Sequence, residues 1–302
     1  MKKFIISILF LMIWSTLYCQ RSIFQSKQAY LGQHPPGENP EIFARQMLTD
    51  SGIAIGRVAF SSDGRDFFYS FTRHWFNAQG SGTNLIHFDG RRWLKPRLIA
   101  KALTLPTLSI DEKSLYLLGE GNILWKAAKK KSVWEEPHPY LHLPYDLYNF
   151  MPVISGNFYI GTNGTWGKLY DYNKYNFSVL SIERNDTLVK SLGMPLNRPG
   201  FNGDFYVRPD ESYMIISTNE SADFESELYI SFRKEDETWT PPISLGEKIN
   251  MGKAHRFGQY VTPDGKYLFY TSGTNEEDTH IYWLRFDNLL EKLRKQAQSG
   301  RR

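Results

Sequence analysis

The sequence predicts an all-β fold, a β-propeller of four-stranded blades, and three observations predict it. A strand-turn-strand pattern recurs along the chain, a Trp-x-x-Pro marker recurs in phase with it, and aromatic residues make up 15% of the 302 residues. That composition suits pleated strands carrying large, half-buried side chains. The repeat is clearest at 261–272, VTPDGKYLFYTS, and returns as AFSSDGRDFFYSF from Ala59, LSIDEKSLYLLG from Leu108 and VRPDESYMIIST from Val207. In each copy an Asp-Gly or Asp-Glu step reverses the chain, because Asp bonds nearby backbone and Gly accepts positive φ.

The turn aspartates are Asp63, Asp111, Asp210 and Asp264, and the interval between Asp111 and Asp210 is about twice the others. A further copy is therefore expected between them. Residues 151–162, MPVISGNFYIGT, keep both strands and shorten the turn to Ser155-Gly156. The second marker, at Trp93, Trp134 and Trp239, each followed three residues later by proline, falls after a third apolar strand at 85–88, 123–126 and 228–232. Hairpin, third strand and short outer strand together make a propeller blade of about 45 to 50 residues. A row of tryptophans could stack a ligand, but packing between blades is the simpler role.

The last unit has no Trp-x-x-Pro, and its outer strand is missing. Residues 41–48, EIFARQML, read as the strand that closes the ring by completing this blade, which removes the open sheet edges. Five repeats are detectable, with space for a sixth blade between Tyr140 and Phe201. The chain then divides into a signal peptide at 1–19, a lead-in at 20–40, the propeller at 41–287 and a helical, basic tail at 288–302, where Leu289, Leu290 and Leu293 share one side.

Lys2 and Lys3 precede an apolar run at 4–17, and Cys19-Gln20 follows, the order of an export signal. The run is short for a membrane span, so no span is expected once the signal is removed. Cys19 is the only cysteine, so no intramolecular disulfide is available to the fold. Tyr18 stands where a lipidation motif has a small residue, which favours cleavage beside Cys19 over a lipid anchor there. The formal charge is +4 with the leader included, too small for a nucleic-acid partner. Lys129-Lys130-Lys131 reads as a solvated hairpin tip.

The 261–272 repeat followed by Ile281-Tyr282-Trp283, and the stretch 226–250, SELYISFRKEDETWTPPISLGEKIN, resemble the TolB-type, WD-like β-propeller repeats of exported bacterial proteins. The opening YLGQHPPGENPEIFA at 30–44, with a leader ending in Cys-Gln, is similar to those repeats as found in Bacteroidetes. The similarity spans nearly the whole mature chain. It implies a propeller, a periplasmic, outer-membrane-associated or extracellular setting, and a role in binding protein or glycan; its motifs are structural and bring no catalytic residues.

Ser61-Ser62-Asp63-Gly64-Arg65 lacks the spacer and Trp of a sialidase Asp box, and there is no Gly-x-Ser-x-Gly elbow and no His-Glu-x-x-His. His138 and His142 flank loop prolines. The acidic stretches 220–227 and 276–278 lack the ligand spacing of a calcium loop, so no metal or cofactor is expected. Sequons at Asn163, Asn176, Asn185 and Asn219 would matter only in a eukaryotic secretory pathway.

Aligned on the turn aspartates, Arg57, Asp204 and Gly258 fall at equivalent places on the innermost strands, with Asn202, His255 and Arg256 just upstream and Tyr148-Asn149 before the third blade. The predicted ligand contacts at the propeller mouth are Arg57, Asn149, Asn202, Asp204, His255 and Arg256. Arg57 and Asp204 could equally satisfy one another. The leading reading is a monomeric, non-enzymatic exported propeller that binds or scaffolds a protein or glycan of the cell envelope. The alternative is a carbohydrate-active hydrolase, which needs two acids about 5 to 9 Å apart; Asp204 is the one clear acid on an innermost strand.

Overall fold

A computed structural model describes residues 22–45, 47–48, 53–75, 80–119, 121, 123–143, 145, 147–163, 175–183, 186–197, 201–220 and 225–299. The predicted leader, Cys19 and Asn185 lie outside these residues, as do the side chains of Asn163, Asn176, Asn202 and Asn219. The chain forms five antiparallel blades. After β1 (Glu41–Ile42), blade 1 runs through β2 (Ile53–Phe60), β3 (Asp66–Thr72), β4 (Gly82–His87) and β5 (Arg97–Lys101). Blade 2 holds β6 (Thr104–Leu108), β7 (Ser114–Leu118), β8 (Ile123–Lys130) and, outermost, β10 (His138–His142), with β9 (Val133–Trp134) pairing the far end of β8. Blade 3 is β11 (Leu147–Pro152), β12 (Phe158–Asn163), β13 (Tyr175–Glu183) and β14 (Asp186–Ser191). It fills the interval in which a sixth blade was allowed for. Blade 4 is β15 (Phe201–Val207), β16 (Tyr213–Glu220), β17 (Glu227–Phe232) and β18 (Ile243–Ser244); blade 5 is β19 (His255–Val261), β20 (Tyr267–Gly273) and β21 (His280–Arg285).

The ring closes as expected, with β1 pairing β21 through Glu41 opposite Trp283 and Ile42 opposite Tyr282. The strand is shorter than the predicted 41–48, because Ala44 turns the chain at φ 43°. Phe43 holds the closure by packing on Phe67, Phe269 and Trp283, with ring centroids 4.9 to 5.5 Å apart. Tyr30 of the lead-in donates to Asp264 at 2.7 Å and packs edge-on to Tyr267, so the segment before β1 is stapled beneath the seam of blades 5 and 1.

The repeat motifs do the work their chemistry suggests. Each turn aspartate accepts a backbone N–H two residues on, at Arg65, Lys113, Ser212 and Lys266, over 3.0 to 3.3 Å. The next residue adopts positive φ in all four: Gly64, Glu112, Glu211 and Gly265. Where Glu stands in place of Gly, its carboxylate reaches back to the preceding blade. Glu112 accepts from Ser62 N at 2.6 Å and Glu211 from Tyr159 Oη at 2.9 Å. Trp134 packs on Phe68 of blade 1 and Trp239 on Tyr159 of blade 3, while Trp93 donates to Gln28 O of the lead-in. Trp134 and Trp239 thus join neighbouring blades, and Trp93 anchors the lead-in.

Two expectations change. His138 and His142 lie on the edge strand β10, not in a loop, and Pro139 is tolerated there because an edge N–H need not pair. Lys129 is no simple solvated tip residue: its ammonium meets Asp66 at 2.8 Å and lies over the Trp134 ring. The tail forms helix α1 (Asp287–Ser299), with Leu293 buried and Arg294 over Phe232.

Candidate functional site

All five innermost strands break register at one level. The bulges fall between Ile55 and Val58, Thr104 and Thr107, Leu147 and Asn149, Asn202 and Phe205, and Phe257 and Tyr260. A bulge re-aims the side chain it carries. Counting back equally from each turn, this level holds Arg57, Leu105, Asn149, Asp204 and Gly258. The alignment of Arg57, Asp204 and Gly258 read from the sequence is therefore a real ring around the axis.

Arg57 is its hub and is 1% exposed. Its guanidinium donates to Thr107 Oγ1 at 3.1 Å, Phe150 O at 3.2 Å and Phe205 O at 2.7 Å, and to Asn149 Oδ1. Asp204 lies 3.7 Å from it and accepts from Gly258 N at 2.6 Å, Phe205 N at 2.9 Å and Asn149 Nδ2. Every blade thus contributes to one network. Burial raises the Asp204 carboxyl above its ordinary pKa, against the opposing pull of Arg57 and the two backbone N–H groups. Burial likewise lowers Arg57, against the attraction of Asp204. Gly258 is required here, since a Cβ would sit 2.5 Å from the carbonyl carbon of Gly56 and the residue has φ 65°.

His255, at the start of β19, packs at a tilt against Phe257 and Trp75 with centroids 4.4 and 5.2 Å apart. Arg256 is buried and donates to the carbonyls of Ile249 at 2.9 Å and Ser226 at 2.8 Å, which ties the blade 4 to blade 5 connection. Asn202 lies on β15, opposite Thr218.

Side chains two residues apart on a strand share a face. One step from the hub toward the turns, the axis is therefore lined by Ala59, Thr107, Met151, Tyr206 and Tyr260. They surround a funnel of about 300 Å³ whose floor is Arg57 and whose rim is made of turn residues from all five blades, including Ser62, Ile110, Ile154, Pro209 and Pro263. Ile110 is 47% exposed and Ile154 65%. Tyr260 is fixed by accepting from Phe60 N at 2.9 Å. The sequence reading aimed at the opposite end of the channel, where the chain enters the inner strands. The signal for the funnel was present: Tyr206 and Tyr260 stand two residues past Asp204 and Gly258.

A wider hollow of about 770 Å³ lies along β5, between blades 1 and 2, bordered by Leu98, Trp125 and Trp134; only two blades meet there. Among the described residues, no group of three His, Cys, Asp or Glu side chains could hold a metal ion. Among them too, no helix is long and apolar enough to cross a membrane.

No protein-family model and no curated protein matches the sequence. Among solved structures, TolB of Acinetobacter baumannii aligns with 75% of this chain and 53% of its own, at 13% identity and a TM-score of 0.44. Oligogalacturonate lyase of Vibrio parahaemolyticus aligns with 84% of this chain and 71% of its own, at 14% identity and 0.43. Hydrazine synthase of Kuenenia stuttgartiensis covers 72% and is itself covered to 63%, at 14% identity and 0.41. The chain thus spans less than two thirds of TolB and of hydrazine synthase, and no activity is carried over from any of the three.

Proposed function

We propose that this chain is an exported, non-catalytic β-propeller that binds a component of the cell envelope through the funnel at the turn end of its axis. One observation carries the reading. Asp204, the acid on which a hydrolytic site would depend, is held by Arg57, Asn149 and two backbone N–H groups, whereas the funnel is an open space into which all five blades project. Concave, mostly apolar sites with a few convergent polar groups are the usual form of a binding pocket. Arg57 would touch the ligand, with Asn149 and Asp204 positioning it. Asn202, His255 and Arg256 would offer contacts toward the entry end.

Exposed Ile110 and Ile154, with Pro209 and Pro263, give the rim apolar ground between the polar Ser62, Glu112, Arg208 and Asp210. This favours a protein partner over a glycan, whose hydroxyls need hydrogen-bonding groups. The leader at 1–19 and the resemblance to exported TolB-type repeats support the envelope setting. The test places a photo-crosslinking residue at Ile110 in cells. A discrete envelope protein should be captured, and Ile154→Glu should abolish the capture while leaving stability within about 0.5 kcal/mol, as for a surface change. Capture indifferent to Ile154→Glu would refute the reading. So would glycan hydrolysis that is lost in Asp204→Asn.

A further inference from the structure

The hollow along β5, about 770 Å³ and set between blades 1 and 2, lies apart from the funnel and has a chemistry of its own. Ile123 and Trp125 alternate on one face of β8 and line it together with Arg97, Leu98 and Lys101 of β5. Trp125 is half-buried, and its indole N–H makes no hydrogen bond to the described residues. Unlike the N–H of Trp134, it is not sealed from solvent.

The register of β5 aims one cation at this indole. Arg97 and Ala100 pair with Leu85 and Thr83 of β4, and directly opposed residues share a face. That face is the one turned to blade 2, because Ser70, opposite Thr83, accepts there from Leu105 N. Arg97 thus leaves β5 on the side of Trp125. The charged groups of the lining differ in what they have left to bind. Glu135 is engaged by Lys130 at 2.6 Å. Arg97, Lys101 and Glu136 are exposed and make no ion pair with the described residues.

The hollow therefore offers two cations, one carboxylate and an indole with a free N–H. An anionic group gains from Arg97, which can hold a carboxylate through two parallel N–H bonds. A chain carrying only carboxylates, such as an acidic peptide, is repelled by Glu136. Nor is β5 a good edge for an added strand: its register steps from Ala100 opposite Thr83 to Leu98 opposite Asn84, so Ile99 is a bulge, a device that blunts an edge. A uronic acid matches the whole set. Its C–H face rests on an indole, its carboxylate meets Arg97 or Lys101, and its hydroxyls donate to Glu136 and accept from Trp125 Nε1.

We infer that this hollow binds an acidic glycan, with one uronate residue seated on Trp125 and held by Arg97 and Glu136. The site is independent of the funnel and of what docks there.

Calorimetric titration of the full chain tests it. The probes are a glucuronate tetramer and a mannuronate tetramer, the neutral glucose and mannose tetramers of the same linkage, and tetraglutamate. At least one uronate should bind about tenfold or more tightly than its neutral counterpart and than tetraglutamate, a difference of about 1.4 kcal/mol, and should weaken as salt rises. Arg97→Gln combined with Lys101→Gln, both at exposed positions, should erase the preference for uronate. Trp125→Ala should abolish binding in a variant that circular dichroism shows to be folded, and Trp125→Phe, which keeps a ring in the blade, should retain part of it. Ile154→Glu at the funnel rim should change nothing. Equal affinity for uronate and neutral sugar, tetraglutamate binding as tightly, a preference unmoved by the double Gln variant, or no binding at millimolar concentration would each overturn the inference. Uronate binding lost in Ile154→Glu would overturn it too, by placing the glycan at the funnel. Capture at Ile110 is read in a separate experiment, so the two proposals fail separately.

Discussion

The hub and the funnel lie next to each other on one axis and are built in opposite ways. At the hub, Asn149 and Asp204 are engaged inside the protein, and Arg57 keeps a single N–H over. One step toward the turns, all side chains but Thr107 are apolar or aromatic, and they leave a space of about 300 Å³. The contrast separates two tasks. A shared polar network draws five blades to a common point and fixes their relative positions, because its partners come from every blade. The ring above it leaves open space that internal contacts do not fill.

The largest effect that could break this contrast is expected at its centre. Arg57→Met should cost about 3 to 5 kcal/mol, since it leaves Asp204 buried without its cation. Urea unfolding measures this, and near-native stability would show that the hub does not hold the ring. Gly258→Ala comes next, at about 1 to 3 kcal/mol, the range for a strained backbone position. Its Cβ would press on the Gly56 backbone, so the same unfolding curve reads it directly. Blade 5 supplies the smallest test. Gln259 is fully buried with both amide atoms unpartnered among the described residues, so Gln259→Met should raise stability by about 1 kcal/mol. A loss there would mean that the amide has an internal partner and that the polar network reaches further than the hub.

Much of the fold was legible because its signals are local. An Asp two residues before a backbone N–H, followed by a residue at positive φ, makes the same turn wherever it occurs, as the turns at Asp63, Asp111, Asp210 and Asp264 do. A further local repeat pairs Ser191-Leu192-Gly193-Met194-Pro195-Leu196-Asn197 with Ser244-Leu245-Gly246-Glu247-Lys248-Ile249-Asn250. In both, the Asn amide clamps the third strand of its blade. Asn197 accepts from Phe177 N at 2.7 Å and Asn250 from Leu228 N at 2.8 Å. Its two copies carry neither Trp nor Asp, so they stand outside the turn and packing motifs that mark the repeats.

By itself, the sequence determined five detectable repeats, the turns that shape them, the strand that closes the ring, and the meeting of Arg57, Asp204 and Gly258 at one level. Those follow from periodicity and turn chemistry within each repeat. Only the tertiary structure decided that Arg57 bonds to groups of three other blades while Asp204 reaches the fifth through Gly258, that Arg256 donates to the carbonyls of the blade 4 to blade 5 connection, and that a funnel lies at the turn end of the axis. Those depend on bulges that re-aim side chains and on distances between blades. Such distances exist only once the ring has closed.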